Sequence, residues 1–184
     1  MQDQVVSALA ELFSRYQRLA GLPLIDYDPE FSSPAELLPA QQGRVGWRPW
    51  LKPEADAFDN VAHALDMQVH PDLSALFGRY YAGHVPGCFK GLFLTLLQPW
   101  NERDFARLQE NQIAHQLMMT KLKLPASWFI ATTANEQQLV TLANDSGEVW
   151  LEQLGKGRIG VLAPSLVQFL HRLEPGEKAL AQSC

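Results

Sequence analysis

Apolar positions recur along this chain at two periods. In "SALAELFSRYQRLAG" (residues 7–21) they fall three and four apart and stop at Gly21, which predicts an opening helix. "EADAFDNVAHALDM" (54–67) returns to that spacing, and "PDLSALFGRYY" (71–81) predicts a shorter helix opened by Pro71. The longest helical pattern is "NERDFARLQENQIAHQLMMTKLKL" (101–124), ended by Leu124 because a residue before proline is biased away from helical geometry. "APSLVQFLHRL" (163–173) predicts a closing helix. Strands are predicted in "FKGLFLTLLQPW" (89–100), "SWFIATT" (127–133), "QLVTLAN" (138–144) and "EVWLEQL" (148–154), with "NDSG" as the turn between the last two. "RVGWRPWL" (44–51) has strand character broken by Pro49, which suits a sheet edge. "LPLIDYDPEFSSPAELLPAQQG" (22–43) holds four prolines and two serines and reads as extended and loop-rich. This order predicts an α+β fold, a mostly antiparallel mixed sheet packed by helices, in a single domain over 1–184.

The polar positions of the long helical pattern raise the question of chemistry. Glu110 and His115 are five apart, about 140° around a helix, so they cannot share a metal ion without ligands from elsewhere. Gln109, Gln112 and Gln116 form one stripe beside Phe105, Ile113, Leu117 and Met119, opposite Arg103, Arg107, Glu110, Asn111 and Lys121. The stripe therefore faces the protein, where buried amides must be hydrogen-bonded. His115 reads as a core histidine and not as a base.

Other motifs fall to their context. "GKGRIG" (155–160) matches a dinucleotide fingerprint, but "VLAP" stands where the helix of that motif should begin, and it reads as a hairpin turn. "GHVPGCFKG" (83–91) sets His84 near Cys88 among glycines and reads as a turn leading into a strand, not as a thiol nucleophile. The remaining constellation lies in 54–67. Phe58, Val61, Ala62 and Leu65 make an apolar stripe, opposite Asp56, Asp59, His63 and Asp66 within about an 80° arc, with Glu54 and Asp72 flanking. The plain reading is a solvated helix face. It is also the best candidate for a cation-binding surface, because clustered carboxylates reinforce one another's potential.

Composition narrows these readings. Nearly half the residues are apolar (47%), as in a globular protein, and the longest apolar runs fall far short of a membrane span. The opening "MQDQVVSALAELF" carries no basic leader or small-residue cleavage pattern, so a soluble, cytoplasmic chain is expected. Cys88 and Cys184 belong to no CxxC and are expected to be a buried thiol and a free tail thiol, with no metal or other cofactor. The net charge is −5 and uneven. Residues 1–78 hold eleven acidic and five basic groups, while 79–184 hold nine and ten. An acidic half argues against nucleic acid and suits a basic partner.

"LTLLQPWNERDFARLQENQIAHQLMMTKLKLPASWFIATT" (94–133), "NDSGEVWLEQLGK" (144–156) and the helical start "ALAELFSRY" (8–16) resemble the Syd family of SecY-interacting proteins, within the SUKH-like superfamily. The resemblance implies a non-enzymatic protein held peripherally at the cytoplasmic side of the bacterial inner membrane through SecY. It also implies a regulatory or quality-control role at the translocon, with an acidic concave surface meeting basic cytoplasmic loops of SecY. Lipid contact would then be indirect, through SecY. On that basis Glu54, Asp56, Asp59, Asp66 and Asp72 are the expected partner-binding residues. Two alternatives stand beside this reading: an immunity-type protein neutralising a basic toxin with the same surface, and a hydrolase using His84, Cys88 or His115.

Overall fold

The first helical pattern becomes α1 (Gln2–Ala20), which buries Val5, Leu9, Leu12 and Phe13 along one face. The structure is a computed structural model that describes residues 2–176. After α1 the proline-rich stretch is more ordered than its composition suggests. Strands β1 (Leu24–Asp26), β2 (Glu36–Gln41) and β3 (Arg44–Trp47) form a three-stranded antiparallel sheet with β3 at its centre. Pro39 falls between the paired residues Leu37 and Gln41 of β2, so its missing N–H costs no ladder bond.

β4 (Trp50–Leu51) is followed by α2 (Asp59–Leu65), α3 (Pro71–Phe77) and β5 (Tyr80–Tyr81), which pairs back on β4. That pairing corrects the helix expected over 54–67. Lys52 N–H donates to the Arg79 carbonyl (3.0 Å) and Asp56 N–H to the Gly78 carbonyl (2.9 Å). Residues 52–56 are thereby tied to the strand beside them and cannot join a helix. At the other end Asp66 caps α2 at a φ of 48°, which closes it.

β6 (Val85–Phe89) and β7 (Leu92–Leu96) form a hairpin through Lys90 and Gly91, both at positive φ. α4 (Glu102–Lys121) then connects β7 to its neighbour β8 (Ser127–Thr133). β9 (Gln138–Ala143), β10 (Val149–Gln153) and β11 (Gly157–Ala163) continue the meander. α5 (Leu166–Arg172) leads to β12 (Glu174–Pro175), which returns to pair with β6. The sheet runs β11-β10-β9-β8-β7-β6-β12, and every pairing is antiparallel.

The α+β architecture read from the pattern is the architecture observed. Alternate residues of β8 separate the two faces of the sheet. Ser127 and Phe129 meet α4, while Trp128 and Ile130 are fully buried in the main core. The Phe89 and Phe169 rings pack at 4.9 Å between β6 and α5. Arg15 of α1 donates to the carbonyls of Leu170 (2.7 Å) and Leu173 (2.8 Å), satisfying the end of α5.

Candidate partner-binding surface

Asp56 and Asp59 open onto a cleft of about 700 Å³ between α1, residues 55–59 and α3. Asp3, in the first turn of α1, brings a third carboxylate, and Arg79 is the cation in the wall. Arg79 donates through Nη1 to the Lys52 carbonyl (3.0 Å), so part of its hydrogen bonding is directed into the protein. Val6, Val69 and Ala75 supply apolar wall. The concavity is thus richer in carboxylates than in cations, which favours a basic occupant.

The five residues singled out in the sequence have different fates. Glu54, Asp59 and Asp66 are exposed, and among the described residues none of them pairs with a cation. Asp56 holds the Lys52 ammonium at 2.5 Å. Lys52 is only 4% exposed and lies over the rings of Tyr81 (3.9 Å) and Phe105 (4.6 Å). Burial lowers its pKa, and the hydrogen bond it donates to Asp56 opposes that shift. Asp56 therefore neutralises an interior charge before it can serve a partner. Asp72 is a plain correction to the exposed set: it is buried (6% exposed) in the first turn of α3, with Oδ1 lacking a partner. The single helical stripe also dissolves, since Asp56 precedes α2 and Asp66 caps it.

Asp3 was not visible as a site residue, because nothing in its local pattern says that α1 will lie against residues 55–59. The proline-rich stretch likewise hid a second pocket of about 230 Å³, lined by Asp26, Asp28 and Asp104 with His84 and Trp100. His84 Nδ1 accepts the Gln98 N–H (3.0 Å). Among the described residues no three metal-ligating side chains converge on a site.

The glutamine stripe does face the protein. Gln109 and Asn60 exchange amide hydrogen bonds (2.9 and 3.1 Å), and Gln109 also donates to the Ala57 carbonyl (3.0 Å). Gln112 donates to the Phe129 carbonyl (2.7 Å) and Gln116 to that of Ser127. Leu117, expected beside the stripe, is instead 58% exposed.

His115, Ser127 and Glu152 form a buried chain, but in the wrong order for nucleophilic catalysis. A triad sets the imidazole between hydroxyl and carboxylate. Here the Ser127 hydroxyl is in the middle, donating to Glu152 (2.9 Å) and lying 3.3 Å from His115 Nε2. Burial depresses the His115 pKa and raises that of Glu152. Cys88 is disulfide-bonded, which corrects the expected buried thiol and removes it as a nucleophile. Cys184 lies outside the described residues.

A family model described as Syd protein (SUKH-2) matches residues 6–175. The chain belongs to the Syd family. Protein Syd of Aeromonas salmonicida is 49% identical over 178 residues, covering 95% of this chain and 98% of the relative. Protein Syd of Tolumonas auensis is 45% identical, with 95% and 92% covered. Protein Syd of Pectobacterium carotovorum is 39% identical, with 95% and 98% covered. The Syd match spans α4, the whole meander and the cleft from Val6 onward, while Asp3 lies just before its first residue.

Proposed function

We propose that this Syd-family chain is a non-catalytic binding protein that attaches to SecY at the cytoplasmic side of the inner membrane and regulates or quality-controls the translocon. Family membership over residues 6–175 carries the reading. No helix among the described residues is long and apolar enough to cross a membrane, and the reading places the protein at the bilayer through its partner. Cytoplasmic loops of membrane proteins carry an excess of lysine and arginine. The cleft of Asp3 and Asp59, with Glu54 and Asp66 exposed beside it in sequence, is complementary to such loops.

The geometry chooses which carboxylates to test. Reversing Asp56 would strand the Lys52 charge, and Asp72 is interior, so neither probes recognition cleanly. The triple variant Asp3→Lys, Asp59→Lys, Asp66→Lys is expected to abolish co-purification with SecY-containing membranes at low salt while leaving the far-UV circular dichroism and Tm unchanged. Wild-type binding is expected to fall as salt rises, since exposed charge pairs are screened beyond about 10 Å at 0.1 M ionic strength. Full retention by the triple variant would remove this surface from the proposal.

A further inference from the structure

The opposite charge gathers at the far end of α4. Lys121 closes the helix, Leu122 caps it, and Lys123 follows. The β10–β11 turn lies against this end. A Cβ on Gly155 would stand 4.0 Å from Leu122 Cδ1, and one on Gly157 would stand 3.1 Å from Leu124 Cδ2. Lys156 sits between those two glycines, so three exposed lysines share one end of the molecule. Among the described residues none of the three forms an ion pair. Leu117, one helical turn before Lys121, is 58% exposed, and Leu122 is 44% exposed. The adjoining β8–β9 turn, tied in by the Leu154 N–H to the Gln137 carbonyl (2.9 Å), contributes one exposed carboxylate, Glu136. Arg158, nearby on β11, is already paired with Asp145 at 3.1 Å.

We infer that this end is a contact site for anionic lipid headgroups. Lysine ammoniums beside large exposed apolar side chains are the combination that lets a surface rest on charged headgroups and dip into the interfacial region. The acidic cleft does not cancel it. Gln109, where α2 is pinned to α4, is twelve residues before Lys121, or about 18 Å along the helix axis. That exceeds the screening length of about 8 Å at physiological salt, so the two ends act independently. The lipid contact adds to attachment through a protein receptor. It turns the basic end to the bilayer and keeps the acidic cleft, which the same lipids repel, away from it.

Purified full-length chain sedimented with vesicles, without SecY, tests the site. The chain is expected to co-sediment with phosphatidylcholine vesicles containing phosphatidylglycerol and not with phosphatidylcholine alone, and to be released by salt. Each lysine near an anionic surface strengthens binding about fivefold, so Lys121→Gln, Lys123→Gln, Lys156→Gln together should weaken it roughly 100-fold. Leu122→Asp should weaken it as well. The triple lysine variant should still bind detergent-solubilised SecY like the wild type, which separates failure here from failure of the proposed function. Equal sedimentation with neutral and anionic vesicles, or undiminished binding by the triple variant, would overturn the inference. So would retention on RNA without vesicle binding.

Discussion

Lys52 shows how a single residue reassigns its neighbour. Its ammonium is enclosed by two aromatic rings, and Asp56 is the carboxylate that makes that enclosure tolerable. Asp56→Ala is therefore expected to cost about 2 kcal/mol in urea unfolding, the penalty of a buried donor left without its acceptor. Asp59→Ala, with no such duty, should change stability by about 0.5 kcal/mol at most. His115 gives a pH dependence. Burial holds its folded pKa below the unfolded value, so the unfolded chain takes up the proton first as pH falls. Stability from this group is complete above the unfolded pKa of about 6.5 and is lost on acidification below it. His115→Gln should flatten the fall in Tm between about pH 7 and pH 5. Glu152 works in the opposite sense, because its raised folded pKa lets the native state gain a proton in acid. Glu152→Gln should make the same fall steeper. That Gln112 and Gln116 face inward was legible from their spacing, but that their partners are carbonyls of β8 was not, since no local pattern names a residue on another strand.

At the scale of elements, strong periodicity translated well and interrupted periodicity did not. α1, α4, β8, β9 and β10 lie where the apolar rhythm placed them, within a few residues at their ends. The strand expected over 89–100 is the second half of a hairpin, and its partner β6 was hidden by Pro86 and Gly87. β6 tolerates that proline because the β12 side asks Pro86 only for its carbonyl, which accepts the Gly176 N–H (2.8 Å) just past the end of β12. β11 was masked in the same way by Gly157 and Gly160, and by two register shifts against β10. The helix expected from residue 54 failed for a tertiary reason, the pairing of 52–56 with 78 and 79. Gly78 sits in that contact: a Cβ there would lie 2.0 Å from the Asp56 carbonyl oxygen and 2.6 Å from that of Ser74. Gly78→Ala is accordingly expected to lower stability by about 2 kcal/mol or more, measured by thermal or urea unfolding, and to displace the acidic segment. Gly160→Ala meets nothing within 4 Å and should leave Tm unchanged or slightly higher.

Across the whole molecule, the uneven charge counted along the chain becomes a separation in space. The −6 balance of residues 1–78 gathers around the cleft and the proline-rich strands, and Lys121, Lys123 and Lys156 of the later half stand at the end of α4. The sequence showed the imbalance but not its axis, because the axis is set by how α4 lies on the sheet. The hydrogen bonds of Gln112 and Gln116 fix that placement. Four residues of helix rise about 6.0 Å and two residues of strand about 6.6 Å, so side chains one turn apart reach alternate carbonyls of β8, at Phe129 and Ser127, with little strain. Sliding the helix by a turn, or rolling it about its axis, would break both bonds together. The protein thus carries a built-in ruler whose two marks, one negative and one positive, stay a set length apart, and whatever seizes one mark decides how far away the other can be reached.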